Sequence, residues 1–124
     1  YDIMPSLVGS EMCKETGNLV LTTGGTGFSP RDITPEATMD IAERNAPGIA
    51  EALRAYSMSL TPRAMLGRGV CVIRKNTLIV NLPGSVKAVS ESMDFLMGNI
   101  EHGLDILLQY DSDAVGVLGV VWNS

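Results

Sequence analysis

The run LTTGGTGFSPRDITPEAT, residues 21–38, decides how the rest of the chain is read. An apolar strand signal ends in it, glycines and threonines crowd its middle, and a proline opens a helix at its end. Just upstream, Asn18 to Thr22 (NLVLT) is β-rich and apolar on both faces, as a buried parallel strand should be. TGGTGFSPRD is loop by composition. Thr34-Pro35-Glu36 then reads as a helix start: Thr34 as N-cap, Pro35 at the first helical position, Glu36 in the first turn. The unit is strand, glycine loop, helix.

Working outward, the helix is expected to run to about Arg44 and to break near Pro47-Gly48. A second helix follows with Ile49, Leu53 and Tyr56 on one face, and Thr61-Pro62 opens a short third one that ends by Gly67. Val70–Arg74 and Thr77–Val80 are strands, and the Lys75-Asn76 connection is short enough only for antiparallel neighbours. Ser85 caps a long helix with a stripe of Val86, Val89, Met93, Leu96 and Met97. Gly98 interrupts it before Ile100, Leu104 and Leu107. Upstream, residues 2–4 open a short strand stopped by Pro5, and residues 6–15 are weakly helical. The segment DAVGVLGVVWNS, residues 113–124, is a further buried-strand pattern. This order predicts an α/β fold, a three-layer domain with a mainly parallel sheet plus an antiparallel hairpin, as one domain over residues 1–124.

Composition narrows the function. The chain has 124 residues, the size of one domain, and its 45% hydrophobic content is enough for one core. No apolar run approaches the about 20 residues of a membrane span, and no signal-peptide pattern is present, so a cytoplasmic protein with no membrane partner is expected. A net charge of −5 disfavours nucleic acid. Cys13 and Cys71 lack metal-ligand spacing and read as buried, reduced thiols. His102, the only histidine, has no Cys or Ser motif to work with.

An acidic protein must hold an anion by local groups, and the glycine loop supplies them. Ligands of open α/β sheets bind beyond the carboxyl ends of the strands, where Gly24, Gly25 and Gly27 fall. Without Cβ atoms they can turn successive N–H groups onto phosphate, and Thr23 and Thr26 add hydroxyls. Neither a Walker loop nor a GxGxxG fingerprint is present. Taken alone, GGTG reads more readily as a tight turn. Asp32, five residues on, is a carboxylate that can carry Mg²⁺, pair with Arg31 or cap the next helix, and position alone does not choose. A second glycine turn, Leu82-Pro83-Gly84-Ser85, joins another strand end to a helix, so two anion-friendly termini share one edge.

TTGGTGFSPRDITPEAT closely resembles the corresponding run of the molybdopterin adenylyltransferase family, which includes bacterial Mog proteins and the G domains of gephyrin-like proteins. The likeness continues through NAPGIAEALR, TPRAML, RKNTLIVNLPGSVKAV and EHGLDIL, over about residues 18–108. It implies a trimeric, molybdopterin-binding α/β domain that uses Mg²⁺ and ATP to adenylylate molybdopterin in molybdenum cofactor biosynthesis, releasing pyrophosphate. By matching position it implies that Gly24, Gly25, Thr26 and Gly27 cradle phosphate. Asp32 matches a catalytic, metal-holding aspartate with Thr34 at its side, and Asn81, Pro83, Gly84 and Ser85 match the second wall of the pocket.

The chain departs from this pattern at its start. Family members open with a strand, a helix and an acidic turn, and DIMPSLVGS stands in place of that turn, so a shortened or rearranged N-terminus is expected. AVGVLGVVWNS, residues 114–124, looks like the missing first strand at the other end of the chain. It is expected to pair in the parallel sense beside residues 18–22 and to bring Trp122 and Asn123 to the ligand edge. Two other functions stay open: a non-catalytic module that binds molybdopterin or a nucleotide, and an oligomerisation scaffold whose glycines only shape turns.

Overall fold

The apolar, partly β-branched run after Asn18 forms strand β1, Leu19–Thr23, buried along its whole length. The computed structural model describes residues 19–108 and 118–122. The expected strand at 2–4, the helix at 6–15, Cys13 and Asn123 lie outside that range. The described elements are β1, helix α1 (Thr34–Ile41), β2 (Arg44–Asn45), α2 (Pro47–Leu60), a 3₁₀ turn (Pro62–Leu66), β3 (Cys71–Arg74), β4 (Thr77–Leu82), α3 (Val86–Met97), α4 (Glu101–Leu108) and β5 (Leu118–Trp122).

Among the described residues the strands make one five-stranded sheet in the order β2-β3-β4-β1-β5. β1 is parallel to both β4 and β5, while β3 is antiparallel to β4 and β2 to β3. It follows that β3 alone runs against the others. The C-terminal strand takes the expected place: Leu118 pairs with Leu19, and Trp122 with Thr23 at the end where the glycine loop begins.

Side chains alternate across the strands with period two, which sorts the core into two layers. Leu19 and Leu21 of β1 join Leu78, Val80 and Leu82 of β4 on one face, under α2, α3 and α4. Val20, Val72 and Ile79 fill the other face with Ile41 and Ala42 around the end of α1. The result is the expected three-layer arrangement. Tyr56 of α2 stacks on Phe95 of α3 with ring centroids 4.7 Å apart. Burial pushes the free Cys71 thiol up to about 12, as befits an inert core residue.

Several boundaries differ from expectation. α1 ends at Ile41, not Arg44, because residues 43–46 swing out to β3: the Glu43 N–H donates to Ile73 and the Ala46 N–H to Cys71. The short edge strand β2 is the outcome. Thr34 is the first helical residue of α1 rather than its cap, since its N–H is taken by the Gly25 carbonyl at 3.1 Å and the helix has no side-chain cap bond. Ser85 does cap α3, its Oγ accepting from the Ala88 N–H at 3.2 Å. Of the stripe on α3, Leu96 is buried and Val89 and Met93 pack on the core, whereas Val86 and Met97 are exposed.

Candidate functional site

β1 and β4 are adjacent and parallel, so the glycine turns that follow them meet at one edge of the sheet. The Gly24 N–H donates to the Leu82 carbonyl at 3.1 Å, and a Cβ at Gly84 would lie 3.2 Å from the Gly24 Cα. Gly24 and Gly25 take φ of 84° and 70°, the left-handed region that glycine enters without cost. Successive residues of that kind form a concave run of backbone amides.

The loop's carbonyls are tied to the protein. That of Gly25 accepts from the Thr34 N–H (3.1 Å), that of Thr26 from the Arg68 N–H (2.8 Å), and that of Gly27 from Arg68 Nε (2.7 Å). In a planar trans peptide the N–H points opposite to the C=O. Fixing these three carbonyls therefore aims the N–H groups of Thr26, Gly27 and Phe28 away from Arg68 and Thr34. Those three amides donate to no partner among the described residues. The loop keeps its acceptors inside and offers its donors.

Asp32 folds back over this loop. Its Oδ2 accepts from the Ser29 N–H at 3.0 Å, and a Cβ at Gly27 would stand 2.9 Å from that oxygen, so glycine is required there for the carboxylate to approach. The carboxylate is neither paired with Arg31 nor capping α1. Among the described residues no group of three or more His, Cys, Asp or Glu side chains gathers as a metal cage. One carboxylate beside an amide-lined loop suits Mg²⁺ held mainly by substrate phosphates.

The other residues expected in the site divide. Thr26, Asn81 and Pro83 line a pocket of about 280 Å³ whose far side is built by α2, the 3₁₀ turn and α3, with Leu53 and Leu82 in its wall. Thr23 is buried at the strand end, and its hydroxyl has no partner among the described residues. Thr34 is fully buried, with its carbonyl accepting from Thr38 Oγ1. Asn81 is committed internally: its Nδ2 donates to Thr22 Oγ1 (2.9 Å) and Thr38 Oγ1 (3.0 Å), and its Oδ1 accepts from the Val70 N–H (3.1 Å). Ser85 is exposed and serves as the α3 cap.

Two arginines escaped the sequence reading. Besides its loop contacts, Arg68 donates through Nη2 to the Asp32 carbonyl (2.6 Å) and through Nη1 to Glu36 (2.6 Å). That hydrogen bond holds the Glu36 carboxyl below the usual carboxylate range. Arg54 of α2 donates to the Gly67 and Gly69 carbonyls, on either side of Arg68. The available signal was a cation set between two glycines, Gly67-Arg68-Gly69, just before a strand.

With this geometry in hand, residues 5–102 match a family described as "Probable molybdopterin binding domain". The chain belongs to the molybdopterin-binding domain family. A molybdopterin adenylyltransferase of Haemophilus influenzae is 51% identical over 85 residues, covering 68% of this chain and 43% of that protein. Gephyrin of Dictyostelium discoideum is 47% identical over 89 residues, covering 72% and 12%. The chain thus spans less than half the length of either of these molybdopterin-binding-domain relatives. The solved molybdopterin biosynthesis Mog protein of Mycobacterium ulcerans superposes with a TM-score of 0.79 at 38% identity, covering 84% of this chain and 68% of that one.

Proposed function

We propose that the chain acts in molybdenum cofactor biosynthesis as an adenylyltransferase, moving AMP from ATP onto the terminal phosphate of molybdopterin. The observation that carries the reading is the loop at residues 25–28, where the Gly25, Thr26 and Gly27 carbonyls are bound and the Thr26, Gly27 and Phe28 amides donate to no partner among the described residues. A phosphate is the ligand such a loop fits, and the names of the adenylyltransferase relatives support molybdopterin or ATP as its bearer.

In this reaction a phosphate oxygen of molybdopterin bonds to the α-phosphorus of ATP, and the bond to the bridging oxygen breaks to release pyrophosphate. Phosphoryl-type transfer needs positioning and charge stabilisation more than a protein nucleophile. Gly25, Thr26 and Gly27 would hold a phosphate, and the pocket beside Thr26 and Pro83 would take an attached ring system. Asp32 would hold Mg²⁺, which neutralises charge on the transferring phosphates. A homotrimer in the cytoplasm completes the reading. The exposed Leu60, Met65 and Leu66 around the 3₁₀ turn are surface that subunit contact would cover. Among the described residues no helix is long and apolar enough to cross a membrane.

The test is to mix the chain with molybdopterin, Mg²⁺ and ATP and to follow pyrophosphate. Asp32→Asn is expected to lower turnover about tenfold or more, while molybdopterin affinity changes much less. Binding without pyrophosphate release would reduce the chain to a binding module. An Asp32→Asn protein that keeps its rate but melts earlier would make Asp32 a brace of the loop.

A further inference from the structure

We propose that Arg68 is a positioning residue, which sets the glycine loop in its anion-accepting shape without touching the anion. The proposal rests on the phosphate-binding reading above and adds to it the part that gives the loop its form.

Four short bonds, and a longer one of 3.4 Å from Nη2 to Glu36, converge on this residue. Its N–H holds the Thr26 carbonyl, its Nε the Gly27 carbonyl, its Nη2 the Asp32 carbonyl and its Nη1 the Glu36 carboxylate, at 2.6 to 2.8 Å. Arg68 therefore spans the loop from Thr26 to the first turn of α1. Because each peptide is planar, holding the Thr26 and Gly27 carbonyls fixes the direction of the Gly27 and Phe28 amides. Without these bonds, rotation about the glycines is cheap, and a reversed peptide would offer a carbonyl to an incoming phosphate.

The surroundings show why this role falls to arginine. Arg54 holds the carbonyls of the residues on both sides of Arg68, at 3.0 Å for Gly67 and 2.8 Å for Gly69, which fixes the peptide before Arg68 and the one after Gly69. Glu36 then aligns the guanidinium from the helix side. A planar fork reaches two carbonyls and a carboxylate in different directions, and a lysine ammonium on its flexible stem does not. With its fork turned towards these partners, Arg68 acts through the loop.

Inorganic pyrophosphate is the probe, titrated by calorimetry into the full chain and followed by amide NMR. Wild type is expected to bind it with shifts at the Thr26, Gly27 and Phe28 amides. Arg68→Lys, which keeps the charge and the backbone N–H but loses the fork, is expected to bind about tenfold more weakly or worse, with cooperative melting retained and the Phe28 shift lost. Equal binding by wild type and Arg68→Lys overturns the role of Arg68 and leaves the phosphate reading standing. Failure of wild type to bind sinks the phosphate reading, and this proposal with it. Should Arg68→Lys not fold, Glu36→Ala carries the test from an exposed site: binding about threefold weaker supports the proposal, and wild-type affinity overturns it.

Discussion

The two glycine turns at the carboxyl ends of β1 and β4 touch each other, yet their acceptors are bound from different places. After β1, the carbonyls of Gly25, Thr26 and Gly27 are bound and the amides that follow them have no partner among the described residues. After β4, the chain passes straight into α3, the Ala88 N–H donates to Ser85 Oγ and the Val89 N–H to the Ser85 carbonyl. The first turn has its acceptors bound from distant parts of the chain, whereas Ser85 of the second gives its acceptors to its own helix. Gly84 serves the first turn by letting Gly24 lie close. Glycine content does not separate a ligand turn from a packing turn. The destination of the carbonyls does.

Asn81 joins the two turns, so changing it should disturb both and give the largest effect. Its side chain holds Thr22 on β1, Thr38 on α1 and the Val70 N–H before β3. Asn81→Leu fills similar space but leaves these buried groups short of partners, with an expected cost of about 3 kcal/mol in urea unfolding. Pyrophosphate affinity should fall with stability. A variant of wild-type stability that binds weakly would return Asn81 to direct ligand contact and blur the division between the turns.

A paired substitution tests whether the division is real. At Gly25, with φ of 70°, valine is strained by about 2 kcal/mol and cannot keep the loop's shape. Gly25→Val should therefore lose both stability and most pyrophosphate affinity. At Gly84→Ala, the added Cβ meets the Gly24 Cα at 3.2 Å, and a shift of a few tenths of an ångström relieves it. Its expected cost is about 1 kcal/mol, with a smaller loss of affinity. If Gly84→Ala proves the more damaging to binding, the second turn is itself a ligand turn.

The sequence carried most of this geometry because strand and loop signals are local. NLVLT showed its two buried faces through unbroken apolarity, and Ser85 showed its cap by standing just before an apolar helical stripe. The C-terminal strand was legible for the same reason, since so apolar a segment has to be covered. What was not legible depends on distant partners. β2 is two exposed residues whose only strand signal is their pairing with Val72 and Ile73. Thr34 looked like a cap because the cap rule is local, and its amide is claimed by Gly25 across the loop. Arg68 lies 41 residues from Gly27, and nothing in the spacing joins them.

Ser85→Ala is the smallest change and isolates the second turn. Ser85 Oγ accepts the Ala88 N–H at 3.2 Å in the first turn of α3, and alanine removes that acceptor while keeping the backbone. Loss of an N-cap of this kind costs about 1 kcal/mol, read as a fall in melting temperature or urea midpoint. The hydroxyl is exposed at the helix start, and α3 stays anchored by the buried Leu96, so the Gly24–Phe28 loop should not move. Pyrophosphate affinity is therefore expected to stay within twofold or so of wild type. A tenfold or so drop at unchanged stability would mean that Ser85 donates to the ligand, and the two turns would then form one anion site with two walls.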